Sequence, residues 1–137
     1  MRYPLIVTLL TLGSLSFGCA ATDQAGNGRD DSAAEFSVDQ VADWLLTSSG
    51  AIVIDVRTPE EFAAGHVTGA INIPIDNLEN RMEDLQDYDA VVTVCNHGNR
   101  ASRAAGKLTK AGIANAGFLQ LVEWKAAGHP ISFGGWK

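Results

Sequence analysis

Apolar positions along this chain follow two spacings that take turns. Val38, Val41, Trp44 and Leu45 recur at helical intervals behind Ser37, with Gln40 three residues after it in the form of a capping box. This predicts a helix that ends near Ser48, ahead of Gly50. Ala51-Ile52-Val53-Ile54-Asp55-Val56 is then a nearly continuous apolar run rich in β-branched residues, as in a strand buried on both faces. Thr58-Pro59-Glu60-Glu61 combines an N-cap residue, proline at the first helical position and acids in the first turn, so a short helix should follow and stop at Gly65. Ala70 to Ile73 predicts a second short strand closed by Pro74, and Asn77 to Leu85 a helix with Leu78, Met82 and Leu85 on one face. Ala90 to Val94 is a third strand of the buried kind. Arg100 to Lys110 reads as a helix with Ala101, Ala104, Ala105 and Leu108 apolar and Gly112 as its stop. Gly117 to Leu121 predicts a fourth strand, and Val122 to Ala127 a last short helix ended by Gly128.

Apolar strands alternating with helices imply an α/β domain, an open parallel sheet of four to five strands with helices on both faces. Sites in such sheets lie beyond the carboxyl ends of the strands. Two places qualify, the residues after Val56 and those after Val94. The domain is expected over residues 36–137, roughly a hundred residues and enough for one core.

Residues 1–18 have the pattern of a secretory leader: one basic side chain, Arg2, then an uncharged apolar run from Leu5 to Phe17. That run is too short for a stable span, which needs about 20 residues. Its exit, Ser16-Phe17-Gly18-Cys19-Ala20-Ala21, resembles the bacterial lipobox, in which the cysteine is lipidated at the mature N-terminus. Ser16 stands where that pattern favours Leu, and cleavage after Ala21 is the rival reading. Either way the chain is expected to be exported to the periplasm or cell envelope; in the favoured lipobox reading Cys19 is the lipid anchor, with no other membrane contact. Residues 19–35, mostly small and polar, form the expected flexible tether.

Composition narrows the function. Of 137 residues, 46% are hydrophobic and 19% charged, a globular balance. Sixteen acids against ten bases give a net charge of −6, which argues against nucleic acid as a partner. Two cysteines cannot form a disulfide framework, and three scattered histidines (His66, His97, His129) give no recognisable metal site.

Val94-Cys95-Asn96-His97-Gly98-Asn99-Arg100 sets a lone thiol after a buried strand and before a helix. The helix N-terminus contributes partial positive charge and free N–H groups. Arg100 adds a full charge, and Gly98 lets the loop curl so that successive amides converge on an anion. Together these favour thiolate, the nucleophilic form. The plainer reading of Cys95 is a small buried hydrophobe at a strand end.

Three segments in series resemble the rhodanese domain family: Asp55-Val56-Arg57-Thr58-Pro59-Glu60-Glu61-Phe62 with Gly65 to Pro74, then Cys95 to Arg100, then Trp124 to Ile131. The resemblance implies a rhodanese-like parallel α/β fold and sulfurtransferase chemistry. Cys95 would take a sulfane sulfur from a small anionic donor such as thiosulfate and pass it, as a persulfide, to cyanide or a thiol. Asn96, His97, Gly98, Asn99 and Arg100 would bind the substrate, the amides holding the outer sulfur and Arg100 the anion. No metal or organic cofactor is implied, and a monomer is expected, with a protein partner in sulfur or redox traffic left open. Asp55 and Arg57 are supporting residues, read as an Asp55/Arg57/Glu61 network that shapes the neighbouring loop. His66 should bond loop backbone, and His97 should lie in the exposed loop. Trp44 and Trp124 should be core, and Glu83, Asp84, Asp87 and Asp89 a solvated face. Leu119-Gln120 stands where the family usually carries Gly-Gly, which would reshape the pocket wall. Two rivals remain: a non-catalytic or sulfur-carrier module, and a cradle-loop phosphatase. The phosphatase is disfavoured by the four residues between Cys95 and Arg100, where such enzymes have five.

Overall fold

The computed structural model describes residues 33–47 and 49–135. The expected leader 1–18, Cys19, and the tether up to its last three residues lie outside the described residues. The elements run β1 (Ala34–Glu35), α1 (Val38–Thr47), β2 (Ala51–Asp55), α2 (Pro59–Ala63), β3 (His66–Val67) and β4 (Ile71–Asn72). After three short 3-10 turns come β5 (Ala90–Cys95), α3 (Asn99–Lys110), β6 (Ala116–Gln120), α4 (Leu121–Ala126) and β7 (Ile131–Ser132). Five strands form one parallel sheet in the order β1-β6-β5-β2-β4, and β3 pairs antiparallel with β7 in a separate ribbon. Among the described residues no helix is long and apolar enough to cross a membrane.

Both faces of the sheet are covered, as the apolar strands require. Ile54, Val91, Cys95 and Phe118 point to one side, where Ala101, Ala104, Ala105 and Leu108 of α3 pack with Leu78 and Leu85. Val53, Val92, Val94 and Leu119 point to the other, against Val41 of α1 and Leu121 and Trp124 of α4. The alternation along each strand is the period of two expected of a pleated backbone. Trp44 is half-buried and meets Phe36 edge-on, whereas Trp124 is fully in the core.

Local signals explain the helix starts. Ser37 Oγ accepts the Gln40 N–H at 3.2 Å. At α2 the capping box is complete: Thr58 Oγ1 accepts from Glu61 N, and Glu61 Oε2 accepts from Thr58 N.

The structure corrects three sequence expectations. The helix expected over Asn77–Leu85 is instead a run of 3-10 turns, Ile75–Asn77, Glu79–Arg81 and Glu83–Leu85. None has a side-chain cap, and Asp76, Asn77, Asn80 and Asp84 are residue types of low helix propensity, which weakens an α-helix. The apolar face survives the change, since Leu78 and Leu85 are buried and Met82 packs on the core. The fourth strand begins one residue early at Ala116, and Leu121 starts the helix after it. Finally, β1 lies in the segment expected to be tether. It is held by backbone pairing to Gly117 and Phe118. A Cβ on Gly117 would collide with the Phe36 ring and sit 2.7 Å from the Ala34 carbonyl oxygen, so this glycine admits the edge strand.

Candidate active site

In the parallel register Asp55 lies beside Val94, so the carboxyl ends of β2 and β5 are neighbours. The two places singled out from sequence therefore form one site. Arg57 joins them: Nη1 donates to Asn96 Oδ1 at 3.1 Å, Nη2 to the Gly65 carbonyl at 2.8 Å, and Nη2 and Nε to the Asp55 carboxylate at 2.6 and 2.9 Å. Asp55 and Arg57 are both buried. Asn72 Nδ2 donates to the carbonyls of Asp55 and Arg57, both at 3.0 Å, and fixes the chain as it leaves β2.

Cys95 ends β5, is 2% exposed, and its Sγ accepts the Ala101 N–H at 3.3 Å. That amide belongs to the first turn of α3, so helix-terminal N–H density is aimed at the sulfur. It lies one residue past the Asn96–Arg100 stretch expected to supply the donors. Thr93 Oγ1 donates to the Ala101 carbonyl at 2.8 Å, so the peptides on either side of Ala101 are tied to β5. Gly98 takes φ +84°, a left-handed turn that lets the loop curl, and Ser102 N–H donates back to its carbonyl at 2.7 Å. Asn96 is half-buried with its side chain committed to Arg57, and its carbonyl accepts from Val122 N–H at 3.2 Å. His97 and Asn99 are exposed at the rim.

Arg100 departs from expectation. Its Nη1 and Nη2 both donate to the Glu61 carboxylate at 2.7 Å, a two-pronged pair. The expected Asp55/Arg57/Glu61 network is thus two separate pairs, Asp55 with Arg57 and Glu61 with Arg100. The reason is geometric: the capping box fixes Glu61 in the first turn of α2, where its carboxylate meets Arg100 and feels Arg57 only as a nearby charge. Glu61 is held down to about 2, first by the Arg100 hydrogen bond, with burial opposing. Arg100 is pushed up, first by its hydrogen bond to Glu61 and to a lesser extent by the charges of Cys95 and Asp55. Ala101 and the Glu61 partnership escaped the sequence reading. A helix-opening residue six places after the thiol, and an acid in the second half of a capping box, were the available signals.

His66 bonds backbone as expected, with Nδ1 2.8 Å from the Phe62 carbonyl and its ring stacked on Phe62. The acids Glu83, Asp84, Asp87 and Asp89 are exposed. Among the described residues no cluster of His, Cys, Asp and Glu could hold a metal ion.

The family model described as the rhodanese-like domain matches residues 37–127. This chain belongs to that family.

Among its relatives, the thiosulfate sulfurtransferase GlpE of Pseudomonas entomophila is 38% identical over 71 residues, covering 51% of this chain. The match spans 64% of that relative, under two thirds of its length. The putative sulfur carrier protein YrkF of Bacillus subtilis is 33% identical over 61 residues, 44% of this chain and 33% of that one. A crystal structure of a rhodanese-related protein from Thermoplasma volcanium superposes with TM-score 0.59 at 28% identity, over 73% of this chain and 96% of the other. In this rhodanese-like domain Leu119 is fully buried under α1 and α4. Gln120 sits in register with Cys95, and its Cγ lies 3.2 Å from where a Cβ on Gly98 would stand. The departure from Gly-Gly therefore places a side chain against the loop, held by Glu35 and Glu123 at 2.7 and 3.2 Å.

Proposed function

We propose that this rhodanese-like domain is a sulfurtransferase that moves a sulfane sulfur, from a donor such as thiosulfate to cyanide or a thiol, through a persulfide on Cys95. The observation that carries this reading is the helix-terminal amide of Ala101 directed at Cys95 Sγ beside a paired arginine. The Cys95 thiolate attacks the outer sulfur of thiosulfate; a new S–S bond forms, the donor's S–S bond breaks, and sulfite leaves with the electron pair. Cyanide then takes the outer sulfur as thiocyanate and returns the thiolate. Fixed backbone dipoles favour the sulfur anion at both ends of the cycle.

Mass spectrometry of the purified protein after thiosulfate treatment tests this. The peptide containing Cys95 should gain one sulfur and lose it to cyanide, and Cys95→Ser should abolish both changes. Similarity to a putative sulfur carrier supports a second reading, a module loaded by a protein donor. No gain from thiosulfate, with loading from a persulfidated protein, would favour it. We also propose export to the cell envelope with a lipid on Cys19, which an acyl mass on the N-terminal peptide would reveal.

A further inference from the structure

The two arginines of the site are each matched by an acid. Asp55 holds Arg57 in the interior, and Glu61 grips both outer nitrogens of Arg100. Glu61 does not depend on the arginine for its place. Its carboxylate also accepts the Thr58 N–H at 3.1 Å, while its own N–H bonds Thr58 Oγ1 at 3.3 Å. The acid is thus built into the start of α2 and presented to the loop beside the thiol. The pair is half-exposed, at 36% and 32%, so a substrate approaching the loop meets it from solvent.

Resting on the sulfurtransferase reading, we propose that Glu61 is a specificity-determining residue. By cancelling the charge of Arg100 it favours a sulfur donor of low net charge, an alkyl persulfide, over the dianion thiosulfate. A dianion gains little from a neutral pair and is repelled by the near carboxylate. A persulfide R–S–SH does not need the cation. The Cys95 thiolate attacks its outer sulfur, the Cys95–sulfur bond forms and the donor S–S bond breaks. The electron pair leaves on R–S⁻ and the proton stays on the transferred sulfur, so no outside oxidant or reductant is required.

Glu61→Gln keeps one oxygen acceptor, for the Thr58 N–H and Arg100 Nη1, and removes the charge together with the acceptor facing Arg100 Nη2. In the full chain, kcat/KM for thiosulfate should rise on the order of fivefold, and that for cysteine persulfide less than about twofold. No change in the ratio, or a fall with thiosulfate, overturns the proposal. Alkylation of Cys95 reads the same charge without turnover. The rate with iodoacetate relative to iodoacetamide, followed on the Cys95 peptide, should rise in Glu61→Gln, and an unmoved ratio overturns the assignment. If that ratio moves while neither donor yields thiocyanate, the charge role of Glu61 stands and the sulfurtransferase reading falls. The unaltered protein supplies a check free of any folding defect. Its thiosulfate kcat/KM should be nearly flat with added salt, whereas a steep fall, the mark of an unmatched cation, overturns the proposal.

Discussion

Arg57 closes back on Asp55 across a single intervening residue, with Nη2 2.6 Å and Nε 2.9 Å from the carboxylate and both side chains buried. The arginine then reaches outward to Asn96 and Gly65, so one guanidinium joins the strand end, the loop beside the thiol and the turn after α2.

Removing that group should cost stability more than it costs chemistry. Arg57→Ala leaves Asp55, fully buried, as an uncompensated charge, and a loss of about 3–5 kcal/mol is expected in urea denaturation. Arg57→Lys should recover only part, because an ammonium cannot reproduce the planar fork. A loss under about 1 kcal/mol would show that Asp55 finds other partners.

Acid should act through Glu61. Its carboxyl is held near 2 in the fold against an ordinary 4.5, chiefly by Arg100. A carboxylate lowered in this way stabilises the fold fully above about pH 4.5, and that contribution disappears as the pH falls toward 2. With both partners about a third exposed, solvent screening leaves on the order of 1 kcal/mol. The stability difference between the original protein and Glu61→Gln should therefore be level above about pH 5 and shrink below it. A difference that does not change with pH would remove the ion pair from the account.

Gly98 is sensitive for a different reason. Its φ of +84° strains any L side chain, and a Cβ would stand 3.1 Å from Phe118 and 3.2 Å from Gln120. Gly98→Ala should cost about 1–3 kcal/mol. Persulfide formation, followed by mass spectrometry, should slow as the loop shifts away from Cys95. Unchanged melting and unchanged loading together would mean that the loop accommodates the methyl group.

The parallel sheet was legible because strands buried on both faces must be written as apolar runs, as in Ile52–Ile54 and Val91–Val94. The positions of Cys95 at a strand end and Gly98 in the turn before a helix were legible because an apolar run and then a glycine ahead of helical spacing mark those boundaries. What escaped depends on backbone or on distant partners. β1 pairs through main chain with exposed side chains, leaving no hydrophobic pattern at Ala34–Glu35. The segment after Pro74 keeps its apolar spacing in 3-10 geometry, because periodicity records which side chains face inward and not how the turns are wound. The choice of Arg100 by Glu61, 39 residues away, is set by the fold that brings α2 to the start of α3; the capping box marks where the acid sits but not which partner it meets.

That choice makes Arg100 and Glu61 energetically one unit, and a double-mutant cycle exposes it. Arg100→Ala alone removes a charge-assisted donor and strands a carboxylate at the site. Thiosulfate kcat/KM should fall by the equivalent of about 1–3 kcal/mol. Adding Glu61→Gln removes the stranded charge, so the double variant should regain part of the loss, with a coupling of about 0.5–3 kcal/mol between the two changes. Strict additivity would mean that the substrate meets Arg100 with the acid already turned away, and the pair would then be a feature of the resting fold alone. A coupling that shrinks with added salt would place the interaction in the half-exposed geometry observed, since buried pairs are screened far less.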